Sequence, residues 1–480
     1  MSSHSSSEVE QPIGAPPRRS AWRALPQRRV SAVDHLRPQR WNWSLVVSPV
    51  DNAVERQARQ PLTRVQLVGL RFFWLDGLFS AISENFYLNF IPLFALAYGA
   101  TNGQVGWVMA LANLAGALAL FPGARQAERA GRRKPIILWT GGGFARVALL
   151  LLALMPLVVT NPVAAIGSIV ALNALRAFMS NFANPAWTSM VADLVPDFMR
   201  GRYFSTRNLA MGTAALLVAP LAGYVIQAGN QRPDFPYAGY QAAFFLAFCF
   251  GVIGTLSFAR IPEPEAVRQR GYVHQRGDLR RGLRENPEFV GLLASAFVWN
   301  LALQVAGPFF NVYLVTELGG TAATVGMVAS VSSIFALVGQ AVFGRIFDRR
   351  GALWMQTVTG LGIAFLPLAW TLITQPWHVG IINIFGGFLW AGFNLANFNL
   401  LLDLTPDQQR PRAVALYQTM VFGSAFLGPV LGGYVADLAG FKAIFALSGT
   451  GRMAAMLIFI WFSARPARRH GKGMPVVPRD

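Results

Sequence analysis

The sequence predicts an all-α membrane protein of twelve transmembrane helices, arranged as two pseudo-symmetric six-helix bundles. Three observations lead there. Of the 480 residues, 54% are hydrophobic and only 13% charged, about half the charged fraction of a soluble domain. Apolar runs of the roughly 20 residues needed to cross a hydrocarbon core recur from Leu67 to Phe462, separated by short charged or Gly/Pro-rich breaks. Charged and proline positions of the first half return in the second at a nearly fixed offset of 210 to 220 residues.

The N-terminal segment, 1–66, is rich in Ser, Pro and Arg and lacks the apolar stretch of a cleaved signal peptide. It reads as a cytoplasmic tail, disordered from Met1 to about Arg40. Trp41–Gln60 reads either as an amphipathic helix on the inner leaflet or as plain linker. The first bundle, 67–259, carries spans at Val68–Leu96, Gly103–Phe121, Pro135–Val158, Pro162–Leu194, Gly201–Gln227 and Tyr240–Ala259. A charged linker, 260–288, separates it from the second bundle, 289–463. There the spans are Phe289–Val315, Ala322–Gly344, Ala352–Ile373, Pro376–Leu402, Ala413–Ala436 and Phe441–Phe462, before a short basic tail, 464–480. The 29 prolines and 46 glycines fit this reading, because membrane helices tolerate both better than soluble ones do.

A net charge of +19 in a soluble protein points to nucleic acid. Its distribution excludes that partner here. Arg125, Arg129, Arg132, Arg133 and Lys134 share one side with Arg200, Arg202, Arg345, Arg349, Arg350, Arg410 and Arg412, and with seven arginines of the linker. The other side holds Arg232 and Lys442. This positive-inside bias places both termini in the cytoplasm and the protein in the inner membrane, its basic side against anionic lipid. The single cysteine, Cys249, excludes an internal disulfide. No phosphate-binding G-x-x-x-x-G-K-[ST] loop and no H-E-x-x-H occur. No enzyme, cofactor or metal site is therefore expected.

The repeat is specific. Glu128-Arg129-Ala130-Gly131-Arg132 after span 2 answers Asp348-Arg349-Arg350-Gly351 after span 8, 220 residues on. Asp193, Leu194, Pro196, Asp197, Arg200 and Arg202 return as Asp403, Leu404, Pro406, Asp407, Arg410 and Arg412, an offset of 210. Pro220-Leu-Ala-Gly223-Tyr224 in span 5 answers Pro429-Val-Leu-Gly432-Gly433-Tyr434 in span 11.

With these motifs the chain resembles the major facilitator superfamily. Gly344-Arg-Ile-Phe-Asp348-Arg349-Arg350-Gly351 fits that family's G-x-x-x-D-R-x-G loop, and Gly428-Pro429-Val-Leu-Gly432-Gly433 fits its G-P-x-x-G-G helix motif. The first-half copies depart: Glu128 replaces the aspartate, and Ala219-Pro220-Leu-Ala-Gly223-Tyr224 stands in span 5, where exporters carry the helix motif. Arg176 in span 4 sits where the family often places an arginine, with Ser180 in place of the usual glycine. The resemblance implies a monomeric transporter whose spans 1, 4, 7 and 10 line a central cavity.

Acids beside arginines at a membrane face can latch one conformation through ion pairs and helix ends. That role is expected of Glu128, Arg129, Gly131, Arg132, Asp348, Arg349 and Gly351; the alternative is that the arginines only set topology. If Asp348→Asn leaves rate and conformational bias unchanged, the latch fails. Pro220, Gly223, Gly428, Pro429, Gly432 and Gly433 are expected to let helices approach and bend.

Ionisable groups inside a span each cost about 2.5–3.5 kcal/mol at the centre. Span 1 carries Asp76 and Glu84 two turns apart, and span 4 a stripe of Asn173, Arg176, Ser180 and Asn184. Glu84 and Arg176 are expected to face each other, with Glu84 and Asp76 exchanging a proton or Glu84 and Arg176 forming only a static pair. The resemblance puts Arg146 and Arg452 on outer helices, which leaves them without a role. Asn300, Gln304, Trp390, Asn394 and Asn397 suit contact with a substrate or hydrogen bonding between helices. These readings point to a secondary active transporter of a small organic molecule, proton-coupled, with export by antiport ahead of uptake by symport or uniport. A non-transporting sensor or scaffold is the remote alternative.

Overall fold

A computed structural model describes residues 64–129, 132–196, 199–263, 287–404 and 410–466. Twelve helices are long and apolar enough to cross a membrane. They are α1 (Val65–Ala97), α2 (Asn102–Ala127), α3 (Lys134–Val158), α4 (Pro162–Leu194), α5 (Tyr203–Asn230) and α6 (Ala238–Ala259), then α7 (Pro287–Thr316), α8 (Ala322–Gly344), α9 (Arg349–Trp370), α10 (Pro376–Leu401), α11 (Leu416–Ala439) and α12 (Phe441–Ala464). The two tails and most of the linker lie outside the described residues, and so do the expectations placed on them.

Local chemistry sets the ends and breaks. Asn161 caps α4, its side-chain oxygen accepting from the Val163 N–H at 2.9 Å. Thr321 and Thr324 form a reciprocal cap at α8. Two spans expected to be continuous are interrupted. Helical structure in α1 stops at Tyr87 and resumes at Ile91, where Pro92 brings no N–H. In α7 it stops at Ala306 and resumes at Phe309, across Gly307-Pro308. Just inside the start of α9 the chain kinks at Gly351, whose φ of 74° and ψ of 170° lie in a region open essentially to glycine alone. A π-turn interrupts α3 at Thr140–Phe144.

Among the described residues, the halves share an apolar core at one end. Each half of the chain forms its own bundle, with α2 on α4 and α1 on α6 in the first, and α7 on α11 and α12 in the second. Between halves, α5 packs on α8 and α2 on α11. At the end away from the arginines a single apolar cluster runs from Phe94 and Phe244 in the first half to Phe309 and Phe445 in the second. At the arginine-rich end each half has its own core, around Phe73, Met190 and Tyr203 in one and Leu353, Leu400 and Phe459 in the other. Among the described residues, the apolar core is thus shared between the halves at one end and separate at the other.

The glycine and proline motifs lie on the closed interface. A Cβ on Gly106 would strike the Pro429 carbonyl, and one on Gly223 the Ala322 carbonyl. Across the halves, Gly326 meets Ala219 and Pro220 and Gly433 approaches Asn102, whereas Gly428 and Gly432 meet Gln304 and Val305 of α7 within their own half. The Ser330 hydroxyl donates to the Leu216 carbonyl at 2.6 Å and the Asn113 amide to Ala425 at 2.8 Å. Small residues here let helix backbones of opposite halves touch.

Candidate functional site

The acids of α1 open onto a cavity of about 350 Å³ lined by Asp76, Ser80, Glu84, Arg146, Asn184, Trp187 and Arg207 among others. Helical spacing puts Asp76, Ser80 and Glu84 on nearly one face of α1. Asp76 is buried and Glu84 is exposed to the cavity. The Arg207 guanidinium of α5 stands 3.9 Å from the Asp76 carboxylate. It lies over the Phe73 ring, 4.4 Å from the centroid, and within 5.8 Å of the Trp187 ring. Its room comes from Gly77, where any Cβ would collide with the guanidinium.

Arg146 of α3 turns inward. It follows the π-turn Thr140–Phe144 by one residue, and its side chain crosses α6 at Gly251, 2.7 Å from where a Cβ would sit. It donates to Ser83 at 3.2 Å and to Ser80 at 3.4 Å, and it lines the same cavity as Glu84. Arginines from two other helices thus stand against the acid-bearing face of α1, Arg207 on Asp76 and Arg146 on the serines between the acids. The serines hold position in turn, Ser83 donating to the Ala247 carbonyl of α6 at 2.6 Å.

The expected pairing of Glu84 with Arg176 is not what forms. Arg176 donates through Nε and a terminal nitrogen to the Asn173 side-chain oxygen at 3.2 and 3.0 Å, and through the other to the Tyr87 hydroxyl at 3.0 Å. Asn173, three residues away on the same face of α4, reaches the guanidinium before any acid of α1 does. Asn173 itself is anchored to the Val108 carbonyl of α2 at 3.2 Å. The polar stripe of α4 is divided: Asn173 and Arg176 line a second cavity of about 160 Å³, Asn184 lines the first, and Ser180 lines both. Phe422 of α11 reaches this smaller cavity from the other half.

The second-half candidates do not join either cavity. Gln304 packs against Gly428 of α11. Asn300 donates to its own helix at Ala296, 2.8 Å, and Asn397 donates to the Tyr417 hydroxyl at 2.7 Å. Trp390 meets Trp299 and Phe393, with ring centroids 6.2 and 5.4 Å away. Asn394 is exposed on that side of α10. Gln304, Asn300, Asn397 and Trp390 thus make packing and hydrogen-bond contacts.

At the arginine-rich end, Arg129, Arg132 and Arg349 are exposed. Gly131 and the side chains of Glu128 and Asp348 lie outside the described residues. Among the described residues, Arg133 forms an ion pair with Asp193 at 2.8 Å, which joins parts of the first half. Glu263 accepts from the backbone N–H groups of Arg133 and Lys134, a carboxylate on the N-terminus of α3. Arg452 of α12 is buried, with 2% of its surface exposed.

Sequence reasoning missed Arg207, Tyr87 and Ser83. Arg207 stands two turns after Arg200, within a run of basic residues that served to set topology. The signal that marks it is a cation inside an apolar span. Tyr87 and Ser83 share a turn with Glu84, but an aromatic and a hydroxyl in a membrane helix carry no signal alone.

Residues 73–398 match the family model of the Major Facilitator Superfamily, with a second match over 289–476. Relatives include a protein of Citrobacter koseri named multidrug resistance protein MdtG. It is 28% identical over 410 residues, covering 82% of this chain and 94% of that protein. The MdtG of Salmonella paratyphi C is 26% identical over 411 residues, 82% of this chain and 95% of its own. Among solved structures, a bacterial homologue of the iron transporter ferroportin in an inward-facing state aligns with a TM-score of 0.64 at 16% identity, covering 84% of this chain and 99% of that one. A D-xylose–proton symporter aligns at 0.61 and 16%, covering 83% and 97%. At these identities the two structures speak for the fold.

Proposed function

Because this chain belongs to the major facilitator superfamily of membrane transporters, we propose that it is a proton-coupled exporter of small organic molecules, working by alternating access from the inner membrane. Its arginine-rich side and both termini face the cytoplasm, and it acts as a monomer. The observation that carries the reading is the placement of Asp76, Glu84, Arg146 and Arg207 around one cavity, on the side of the closed interface where the two halves have separate cores. The name of the relatives, multidrug resistance protein, supports drugs as cargo and export as direction.

The coupling follows from charge. Glu84 lines the cavity, while Asp76 is held against Arg207. Protonating either carboxylate removes the counter-charge of an arginine that stays charged. That changes how the cavity attracts cargo and how easily α1 moves against α3 and α5. Rocking of the halves about the α2–α11 and α5–α8 contacts would carry these groups from one side to the other. Uptake by symport would use the same residues, with protons entering as before and the cargo moving inward instead of outward.

The test uses purified full chain in proteoliposomes under an imposed pH gradient. Cationic drugs, sugars and organic anions are added while lumenal pH is read, with wild type and Glu84→Gln in parallel. Cargo-evoked proton flux that is lost in Glu84→Gln is expected. Downhill movement of a compound without proton flux would overturn the coupling and leave a uniporter or a sodium-coupled carrier.

A further inference from the structure

We propose that Arg452, inside the second bundle, is a chloride site: its guanidinium holds one inorganic anion on the edge formed by the Nε–H and Nη2–H groups. The site lies apart from both cavities described above. It stands whatever the cargo and the direction of transport.

The argument starts from the internal repeat. In the first half Ser83 of α1 donates to the Ala247 carbonyl of α6 at 2.6 Å, and the Arg146 side chain of α3 lies over Gly251 of α6. In the second half Ser448 of α12, 201 residues after Ala247, donates to the Ala302 carbonyl of α7 at 2.6 Å. The residue 201 after Gly251 is Arg452. Each bundle thus carries an arginine at a matching place, contributed by α3 in one and by α12 in the other. Their surroundings differ. Asp76, Ser80 and Glu84 of α1 are answered, 220 residues on, by Ala296, Asn300 and Gln304 of α7. The second half therefore keeps the cation and lacks the acids. Glu288 and Asp437 are the acids within α7 to α12, and both stand at helix ends.

Arg452 stands near the middle of α12 and is buried. Around it α12 meets α7 through Ser448 and Gly451, both at Ala302, and α9 through Gly449 at Leu368 and Met456 at Gly360. None of these contacts supplies a charge. Among the described residues, Nε and Nη2 of Arg452 are buried with no hydrogen-bond acceptor. Arg133 and Arg146 also have buried nitrogens unmet. Arg133, however, has Asp193 and Ser189, and Arg146 has Ser80 and Ser83. An arginine keeps its proton under all ordinary conditions, and a buried charge needs a counter-charge and filled hydrogen bonds. The chain offers Arg452 no acid, so the counter-charge comes from solution. Nε–H and Nη2–H point the same way from one edge of the planar group, a fork that grips an anion between two donors. A single-atom anion fits so enclosed a group where the carboxylate of an organic molecule does not.

Binding of radioactive chloride to the purified full chain in detergent is measured by equilibrium dialysis. Thermal unfolding is followed by tryptophan fluorescence in sodium chloride and in sodium gluconate at equal ionic strength. Wild type is expected to bind chloride saturably and to unfold at a higher temperature in chloride. At a hundred times the dissociation constant the ion raises the folded-to-unfolded ratio about a hundredfold. Arg452→Met is expected to lose the bound ion and the difference between the two salts. In gluconate it should be at least as stable as wild type, because the stranded charge is gone. Arg452→Lys, which keeps the charge and loses the fork, is expected to bind chloride more weakly. Lys442→Gln, which removes an exposed charge from the same helix, should bind as wild type does. No saturable binding and equal unfolding temperatures in wild type would overturn the site, leaving water on the guanidinium, and this arm needs no variant to fold. Chloride binding retained in Arg452→Met would overturn the role of Arg452. Sulfate competing as well as bromide would overturn the single-atom occupant.

Discussion

Asp437, at the end of α11, caps the start of α2: its carboxylate accepts from the backbone N–H of Gly103 at 2.8 Å, and of Asn102 at 3.2 Å. A side chain of the second half thus satisfies the free donors of a helix in the first. The negative charge sits at the positive end of the α2 dipole. Beside it the Trp107 indole donates to the Tyr434 hydroxyl at 3.3 Å. The corresponding position of α5, 210 residues earlier, is Gln227, so the charge is present on one of the two symmetric interfaces.

Asp437→Ala is expected to loosen this closed end. An exposed charge at a helix terminus contributes about 0.3–1 kcal/mol, which is a two- to fivefold change in population. In a Cys249→Ala background, spin labels at Val158 and Leu372, both exposed at this end, should report a larger share of long distances. A distribution identical to wild type would show that the interface closes without the cap.

Gly106 and Gly223 set the approach of the halves. Adding a methyl at either forces it onto a carbonyl of the opposite half, Pro429 or Ala322. Gly106→Ala and Gly223→Ala are each expected to lower thermal stability by about 1–3 kcal/mol, the cost of overpacking, and to shift the same label distances outward. Gly167→Ala, where no atom lies within 4 Å of the added carbon, serves as the control and should change neither.

Arg207 and Asp76 should behave as a pair. Removing one partner of a buried pair costs about 3–5 kcal/mol because the other charge is stranded. Arg207→Gln and Asp76→Asn are each expected to destabilise, while the double variant loses clearly less than their sum. A double-mutant cycle from thermal or denaturant unfolding reads the coupling directly. Additive losses would mean that Arg207 acts through Phe73 and Trp187 alone.

Gly351 makes the kink at the start of α9 in a backbone region that other residues avoid, at φ 74°. Gly351→Ala is expected to cost about 1–3 kcal/mol, visible as a lower unfolding temperature. An unchanged unfolding temperature would show that the kink has a second conformation open to alanine.

Much of this architecture is legible in the chain. Hydropathy alone gives the twelve spans, because a helix in lipid must be apolar for its whole length. The 210-residue repeat finds Pro220, Gly223, Pro429, Gly432 and Gly433 before any coordinates do, since contact between helix backbones demands small residues. Asp76 and Glu84 stand out for a similar reason: a charge within a membrane helix is costly and rare. The joint between α8 and α9 is readable from Gly351 and its charged neighbours.

The partners of those charges are a different matter. Spacing on one helix places Glu84 and Arg176 on cavity-facing stripes, yet it says nothing of reach across the bundle. That depends on the π-turn that precedes Arg146, on Gly77 and Gly251 making room for two arginine side chains, and on Asn173 taking Arg176 first. The same holds for Gln304, polar by sequence and spent on packing against Gly428. Sequence determined which residues enter the membrane and which of them are costly there, because both follow from local composition. Tertiary structure decided which acid meets which arginine and which end of the molecule is closed, because both depend on how far side chains and helices of distant segments extend toward one another.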